Sequence, residues 1–196
     1  MAGDVGGAQR GIADVPALTT PRLILRALSE SDAVSLHRVW NDTDVTRYFP
    51  NTTPPSQENV QQVILRQLQH WKEYGYGWWA VELRAGNEMA GWCGLQYLPE
   101  TDEAEVAYLL GKAFWGKGLA TEGARASLRY GFDVVGLKSI VAIVHPDNRA
   151  SQRVAEKSGL AFTHRARYFG MDCYRYEIDR ASFDAMSATW WATREV

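Results

Sequence analysis

The segment Gly111-Lys112-Ala113-Phe114-Trp115-Gly116-Lys117-Gly118-Leu119-Ala120-Thr121 constrains this chain most, because it ends a β-rich run and opens a helical one. At such a junction the first backbone N–H groups of the helix have no acceptor within the helix. The helix dipole adds partial positive charge at the same end. Glycines let the backbone approach an anion closely and take angles closed to other residues, so the segment is an anion site of the size of a pyrophosphate. Spacing separates the ligand classes. As a nucleoside triphosphate loop, Gly111, Gly116 and Lys117 fit GxxxxGK, but Gly118 stands where Ser or Thr must hold magnesium. As a dinucleotide fingerprint, Gly116 and Gly118 supply GxG, but Thr121 replaces the third glycine and no acid follows for a ribose. A plain strand-to-helix turn is the remaining alternative.

Around this loop the periodicities describe one mixed α/β domain over residues 18–196, preceded by a flexible tail over 1–17. Leu23 to Leu28 reads as a strand, and Ser31 and Asp32 open a helix that reaches about Asn41. Residues 45–55 are loop-like. Ser56 starts a second helix, with Val60, Val63, Ile64, Leu68 and Trp71 on one side and Gly75 as its stop. Trp78 to Arg84 and Met89 to Leu98 flank Ala85-Gly86-Asn87 as a hairpin. Glu103 to Leu110 is a further strand, Leu119 to Phe132 a helix, and Ser139 to Val144 a strand buried on both faces. A short helix over Arg149 to Ser158 stops at Gly159. Leu160 to Thr163 pairs with Cys173 to Ile178 through a turn near Gly170, and a last helix spans about Arg180 to Trp191. Helices joining adjacent strands require some parallel pairing.

Composition narrows the function classes. With 196 residues, a formal charge of −2 and no run of one sign, the chain lacks the basic footprint of a nucleic-acid binder. Cys93 and Cys173 have no metal-ligand spacing, so neither a metal nor a disulfide is expected. No stretch reads as a signal peptide or membrane span, and a cytoplasmic protein without a membrane partner is expected. A monomer and a homodimer both stay open, with exposed strands or Trp190-Trp191 as the contact in the second case.

The loop Trp115-Gly116-Lys117-Gly118-Leu119-Ala120 resembles the pyrophosphate loop of the GNAT N-acetyltransferase superfamily, Gln/Arg-x-x-Gly-x-Gly/Ala, with Trp in place of the usual first residue. The form with Thr121 and Glu122 is similar to the branch containing the ribosomal-protein N-terminal acetyltransferases. Three further segments agree with that branch: Leu18 to Arg26, Ala104 to Leu109, and His145 to Gly159. The resemblance implies a mostly antiparallel sheet split into a V and acetyl-CoA as co-substrate. Its pantetheine arm would lie beside Tyr108, Leu109 and Leu110, and its pyrophosphate on Gly116, Lys117, Gly118, Leu119, Ala120 and Thr121. The same resemblance puts Asn148 on the pantetheine arm and Ser151 near the thiol, positions that Asx turns and helix caps also favour.

Acetyl transfer from a thioester requires a neutral amine, a stabilised oxyanion and a protonated leaving thiolate. Glu105 is the candidate general base, with His145 second. The superfamily's frequent tyrosine acid is replaced here by Ala155, which leaves Ser151, a water, or no dedicated acid. Glu100, Asp102, Glu103 and Glu105 cluster where a cationic amine would approach. The acceptor is a peptide or protein N-terminus, or else a small amine such as an amino acid, polyamine or antibiotic. A non-catalytic acyl-CoA-binding module is the alternative of another class.

Overall fold

The computed structural model describes residues 15–190, so most of the expected tail and the helix end at Trp191 lie outside the described residues. One eight-stranded sheet runs in the order β1-β2-β3-β4-β5-β6-β8-β7. Its strands are β1 (Leu18–Thr19), β2 (Leu23–Ala27), β3 (Trp78–Leu83), β4 (Met89–Leu98), β5 (Glu103–Leu110), β6 (Ser139–Val144), β7 (Ala161–Tyr168) and β8 (Met171–Asp179). The helices are α1 (Ala33–Trp40), α2 (Thr43–Thr46), α3 (Gln57–Tyr74), α4 (Leu119–Tyr130), α5 (Arg149–Lys157) and α6 (Arg180–Trp190).

The α3 helix starts where Ser56 caps it, the serine side chain accepting from the Asn59 amide, and ends at Gly75 in the left-handed region. Val60, Ile64, Leu68 and Trp71 form its buried stripe. Val60, Ile64 and Leu68, with Leu36 of α1, cover Ala80, Trp92 and Leu109 on one face of the sheet, while Trp71 packs on Trp79 in the other core. Each fully buried side chain of this kind contributes roughly 1.5–3 kcal/mol. The opposite face packs Leu25, Trp79, Val81, Leu95 and Val106 against α4, with Phe183 of α6 in the same core.

Six of the seven strand pairings are antiparallel; the exception is β5 with β6, parallel as helix-connected strands require. That pair has a single register match, Glu105 with Val141. From Val106 onward β5 keeps its ladder to β4 through Leu110 opposite Gly91 while β6 turns to β8, with Val144 opposite Tyr174. The sheet is therefore mixed, mostly antiparallel and split at β5 and β6.

Three elements differ from the sequence reading. Residues 43–46 form a helical turn that runs into the start of the expected loop, because the Asp42 side chain caps it by accepting from the Asp44 amide at 3.0 Å. The two-residue strand β1 was not expected. β7 extends to Tyr168, with Phe169 and Gly170 both at positive φ in its turn; only its last residues, Ala166 and Tyr168, pack inward, while 161–165 are exposed and carry little apolar signal. At the other edge, the Pro16 carbonyl accepts the Trp79 indole N–H at 2.8 Å, and Val15 packs on the core.

Candidate active site at the split of the sheet

The expected anion loop leaves β5, makes a single 3₁₀ turn over Lys112–Phe114 and enters α4. Gly116 and Gly118 have φ of 72° and 75°, where a side chain would be strained. The Glu122 amide bonds the Gly118 carbonyl at 3.1 Å, closing the first helical turn, and the amides before it are those a helix start leaves for an external acceptor. Residues 115–118 are exposed while Leu119 is buried, so the loop faces outward on an anchored base. Trp115, the departure from the superfamily pattern, donates its indole N–H to the Leu110 carbonyl at 2.7 Å and so ties the loop to the end of β5. Lys117 carries its ammonium 6.0 Å from the Phe114 ring centroid. Among the described residues no group of side chains could hold a metal ion.

Glu105 sits where β5 and β6 part. It is 4% exposed, one carboxylate oxygen accepting from the Gln96 amide at 2.6 Å and the other from the Ile143 backbone N–H at 3.3 Å. Burial raises its carboxyl from 4.5 to about 7, the two hydrogen bonds lowering it less than burial raises it and the nearby Glu103 adding to the rise. A carboxyl poised there is matched to proton abstraction near neutral pH.

His145 does not meet Glu105 in this arrangement. It ends β6 with its ring 5.2 Å from that of Tyr48, and its Nδ1 accepts the Asp147 amide at 3.1 Å. That bond occupies the Nδ1 lone pair.

On the opposite face of β5 the Tyr108 hydroxyl donates to the Ser151 carbonyl at 3.4 Å, spanning the split toward α5, and burial holds that phenol far above its ordinary value. Asn148 is the α5 N-cap, its side-chain oxygen accepting from the Ser151 amide at 3.1 Å. The structure thus brings Tyr108, Asn148 and Ser151 together and puts Glu105 across the sheet from them. Ala155 is buried in the core. Leu109 and Leu110 are buried too, and the Leu110 carbonyl is the acceptor of the Trp115 indole N–H.

The acid cluster is partly neutralised. Arg175, 11% exposed at the side chain, pairs with Glu103 at 2.6 Å and with Glu177 at 2.9 Å, and Tyr168 donates to Glu103 at 3.1 Å. Asp102 accepts from the Tyr97 hydroxyl at 2.9 Å. These long-range partners had no signal in the sequence.

The family model of the acetyltransferase (GNAT) domain matches residues 22–161. Among curated relatives, the Bacillus subtilis protein YkkB is 31% identical, covering 82% of this chain and 94% of its own. The N-acetyltransferase YoaA of the same organism is 32% identical, covering 74% and 82%. A spermidine N(1)-acetyltransferase of Escherichia coli is 28% identical over 70% of this chain and 72% of its own. Among solved structures, an acetyltransferase from Agrobacterium tumefaciens aligns with a TM-score of 0.76 at 26% identity, covering 85% of this chain and 96% of that one. RimL, a ribosomal L7/L12 α-N-protein acetyltransferase solved with coenzyme A, aligns at 0.71 and 22% identity, covering 84% and 98%. Fold and matches define the class: an acyltransferase of the N-acetyltransferase type, with acetyl-CoA as donor. Within that class the chain belongs to the GNAT acetyltransferase family.

Proposed function

We propose that this protein acetylates the α-amino group of a peptide or protein N-terminus by direct attack on acetyl-CoA in a ternary complex, with Glu105 as general base. The observation that carries the proposal is the buried Glu105 carboxyl at the parting of β5 and β6, raised to about 7. The open flank of β5 and the glycine loop fit a pantetheine arm and a pyrophosphate: Tyr108, Leu109 and Leu110 offer backbone to the first, Gly116 to Thr121 offer amides to the second. Acetyl-CoA supplies the activated thioester. Glu105, ionised, takes a proton from the amine directly or through a water. The amine nitrogen bonds to the carbonyl carbon, the oxyanion meets a backbone N–H of β5, and the carbon–sulfur bond breaks. Ser151 or a water returns a proton to the thiolate, while Asn148 holds the end of α5 against the pantetheine arm.

The second reading, a small polycationic amine, draws on the spermidine acetyltransferase among the relatives. Arg175 offsets part of the charge of Glu103, whereas Asp102 keeps its charge under the Tyr97 hydrogen bond, so the pull of the cluster on a polyamine is reduced and not abolished. The test is calorimetric titration of acetyl-CoA, followed by thiol-release assays on an N-terminal peptide library and on spermidine. Acetyl-CoA binding with turnover on peptides that stops when their N-termini are blocked is expected. Turnover on spermidine alone would transfer the assignment to the second reading, and absence of acetyl-CoA binding would overturn both.

A further inference from the structure

The first turn of α4 carries Glu122, an acid placed beside the very loop that must receive a pyrophosphate. A bare carboxylate there would repel the anion. Its side chain, 10% exposed, is turned away and consumed by the segment before β2. One oxygen accepts from the Thr20 hydroxyl at 2.7 Å and from the Arg22 backbone N–H at 2.8 Å. The other accepts from Arg22 Nε and pairs with Nη2, each at 2.6 Å, so that two guanidinium nitrogens converge on one carboxylate oxygen in a charge-assisted contact. The third nitrogen, Nη1, donates to the Lys117 carbonyl at 2.7 Å. That carbonyl lies between the two positive-φ glycines, so fixing it fixes the peptide plane that joins Lys117 to Gly118. The guanidinium reaches the loop itself: a Cβ placed on Gly118 would stand 3.5 Å from Nη2.

We infer that Arg22 is a positioning residue for the cofactor loop: it neutralises Glu122 and pins the Lys117 carbonyl, so that the amides of residues 118–121 are aimed outward before acetyl-CoA arrives. The inference rests on the proposal that this loop holds the pyrophosphate. It goes beyond it in making the anion site a joint product of residues 20–22 and of α4, a hundred positions apart. Preorganised amides bind without the cost of ordering a glycine-rich loop, and removing the negative charge of Glu122 leaves the helix dipole to act on the ligand alone.

The test uses the whole chain, as wild type, Arg22→Gln, Arg22→Lys, and the double variant Arg22→Gln/Glu122→Gln. Acetyl-CoA affinity is measured by calorimetry, and amide hydrogen exchange across residues 116–122 is measured without ligand. Loss of a charge-assisted pair that leaves its carboxylate unpaired is expected to weaken acetyl-CoA binding roughly 10- to 100-fold in Arg22→Gln. The double variant should recover part of that loss. Arg22→Lys, which keeps the charge without the fork, should fall between. Exchange at residues 118–121 should accelerate in Arg22→Gln while the β3 and β4 amides stay protected. A merely structural role would slow or speed exchange throughout and give no recovery in the double variant. Unchanged affinity and unchanged loop exchange in Arg22→Gln would overturn the inference, and if that variant does not fold, the same result in Arg22→Lys would do so. Failure of the wild type to bind acetyl-CoA would instead sink the functional reading, and the exchange data alone would then decide whether Arg22 orders the loop.

Discussion

Under the proposed mechanism, Glu105 is the residue on which chemistry and stability pull against each other. In the folded protein its carboxyl holds a proton up to about 7, whereas its ordinary value is 4.5. Between those two values the folded state binds more protons than the unfolded state, so its stability falls as pH rises. The loss is complete above about pH 7 and amounts to an order of 3 kcal/mol, at 1.36 kcal/mol per unit. Glu105→Gln keeps the shape and the hydrogen-bonding capacity without the charge. It is therefore expected to be more stable than the wild type at pH 8 and nearly equal to it at pH 4.5. Denaturant unfolding at the two values checks this, and a gap that widened toward low pH would contradict the burial of the group. Activity should move the other way. Removal of a general base lowers kcat by roughly 10²–10⁴, and the wild-type kcat/KM should rise with pH through about 7 along a single ionisation that is missing from the variant. Gain of stability with loss of turnover at one position would separate a catalytic glutamate from a solvated strand residue, a distinction that the sequence could not make. Its position on β5 was legible there, but its burial depends on Gln96, Ile143 and the parting of two strands far apart in the chain.

Among the elements, α5 shows why a motif residue needs two tests. Asn148 caps the helix by accepting the Ser151 amide, and replacement by Ala at such a position costs typically about 1 kcal/mol. Asn148→Asp and Asn148→Ser keep the cap and so should retain most of the stability. If Asn148 serves the pantetheine arm through its side-chain N–H, which neither replacement has, both should still raise KM for acetyl-CoA. Thermal unfolding and KM measured side by side distinguish the roles: variants that keep both would reduce Asn148 to a cap. The helices and strands with strong local signals were readable from their residues. Ser56 and Gly75 bound α3 as expected, and β5 and β6 have the expected limits, Glu103–Leu110 and Ser139–Val144. The elements that sequence reasoning missed lack such signals. The β1 strand is two residues long, α2 is one turn set by the Asp42 side chain, and the far half of β7 has only Ala166 and Tyr168 turned inward between exposed Arg165 and Arg167, so its pairing with β8 is what marks it as a strand.

At the scale of the whole molecule, the two halves of the sheet meet at one register position, Glu105 with Val141, and through the packing of α4 beneath both. This topology could be anticipated only through the resemblance; periodicity alone specified parallel pairing somewhere and left the point of parting open. Under the proposed function, the same weakness in the ladder would make room for a ligand that binds like a strand. A molecule that spans the split along β5 and grips the loop before α4 touches both halves at once, so it should tighten the molecule as a whole as well as its own contacts. Acetyl-CoA at a hundred times its Kd adds about 2.7 kcal/mol by mass action, which in a chain of this size raises Tm by roughly 5–10 °C. The distribution of the effect carries the argument: amide exchange should slow at residues 106–110 and 116–121 and also in β6, across the split. Protection confined to the loop would mean that the ligand holds only by its phosphates and leaves the sheet parted. Protection reaching Val141 and Ile143 would mean that the split is closed by the substrate itself, with Glu105 held at the junction where the amine must arrive.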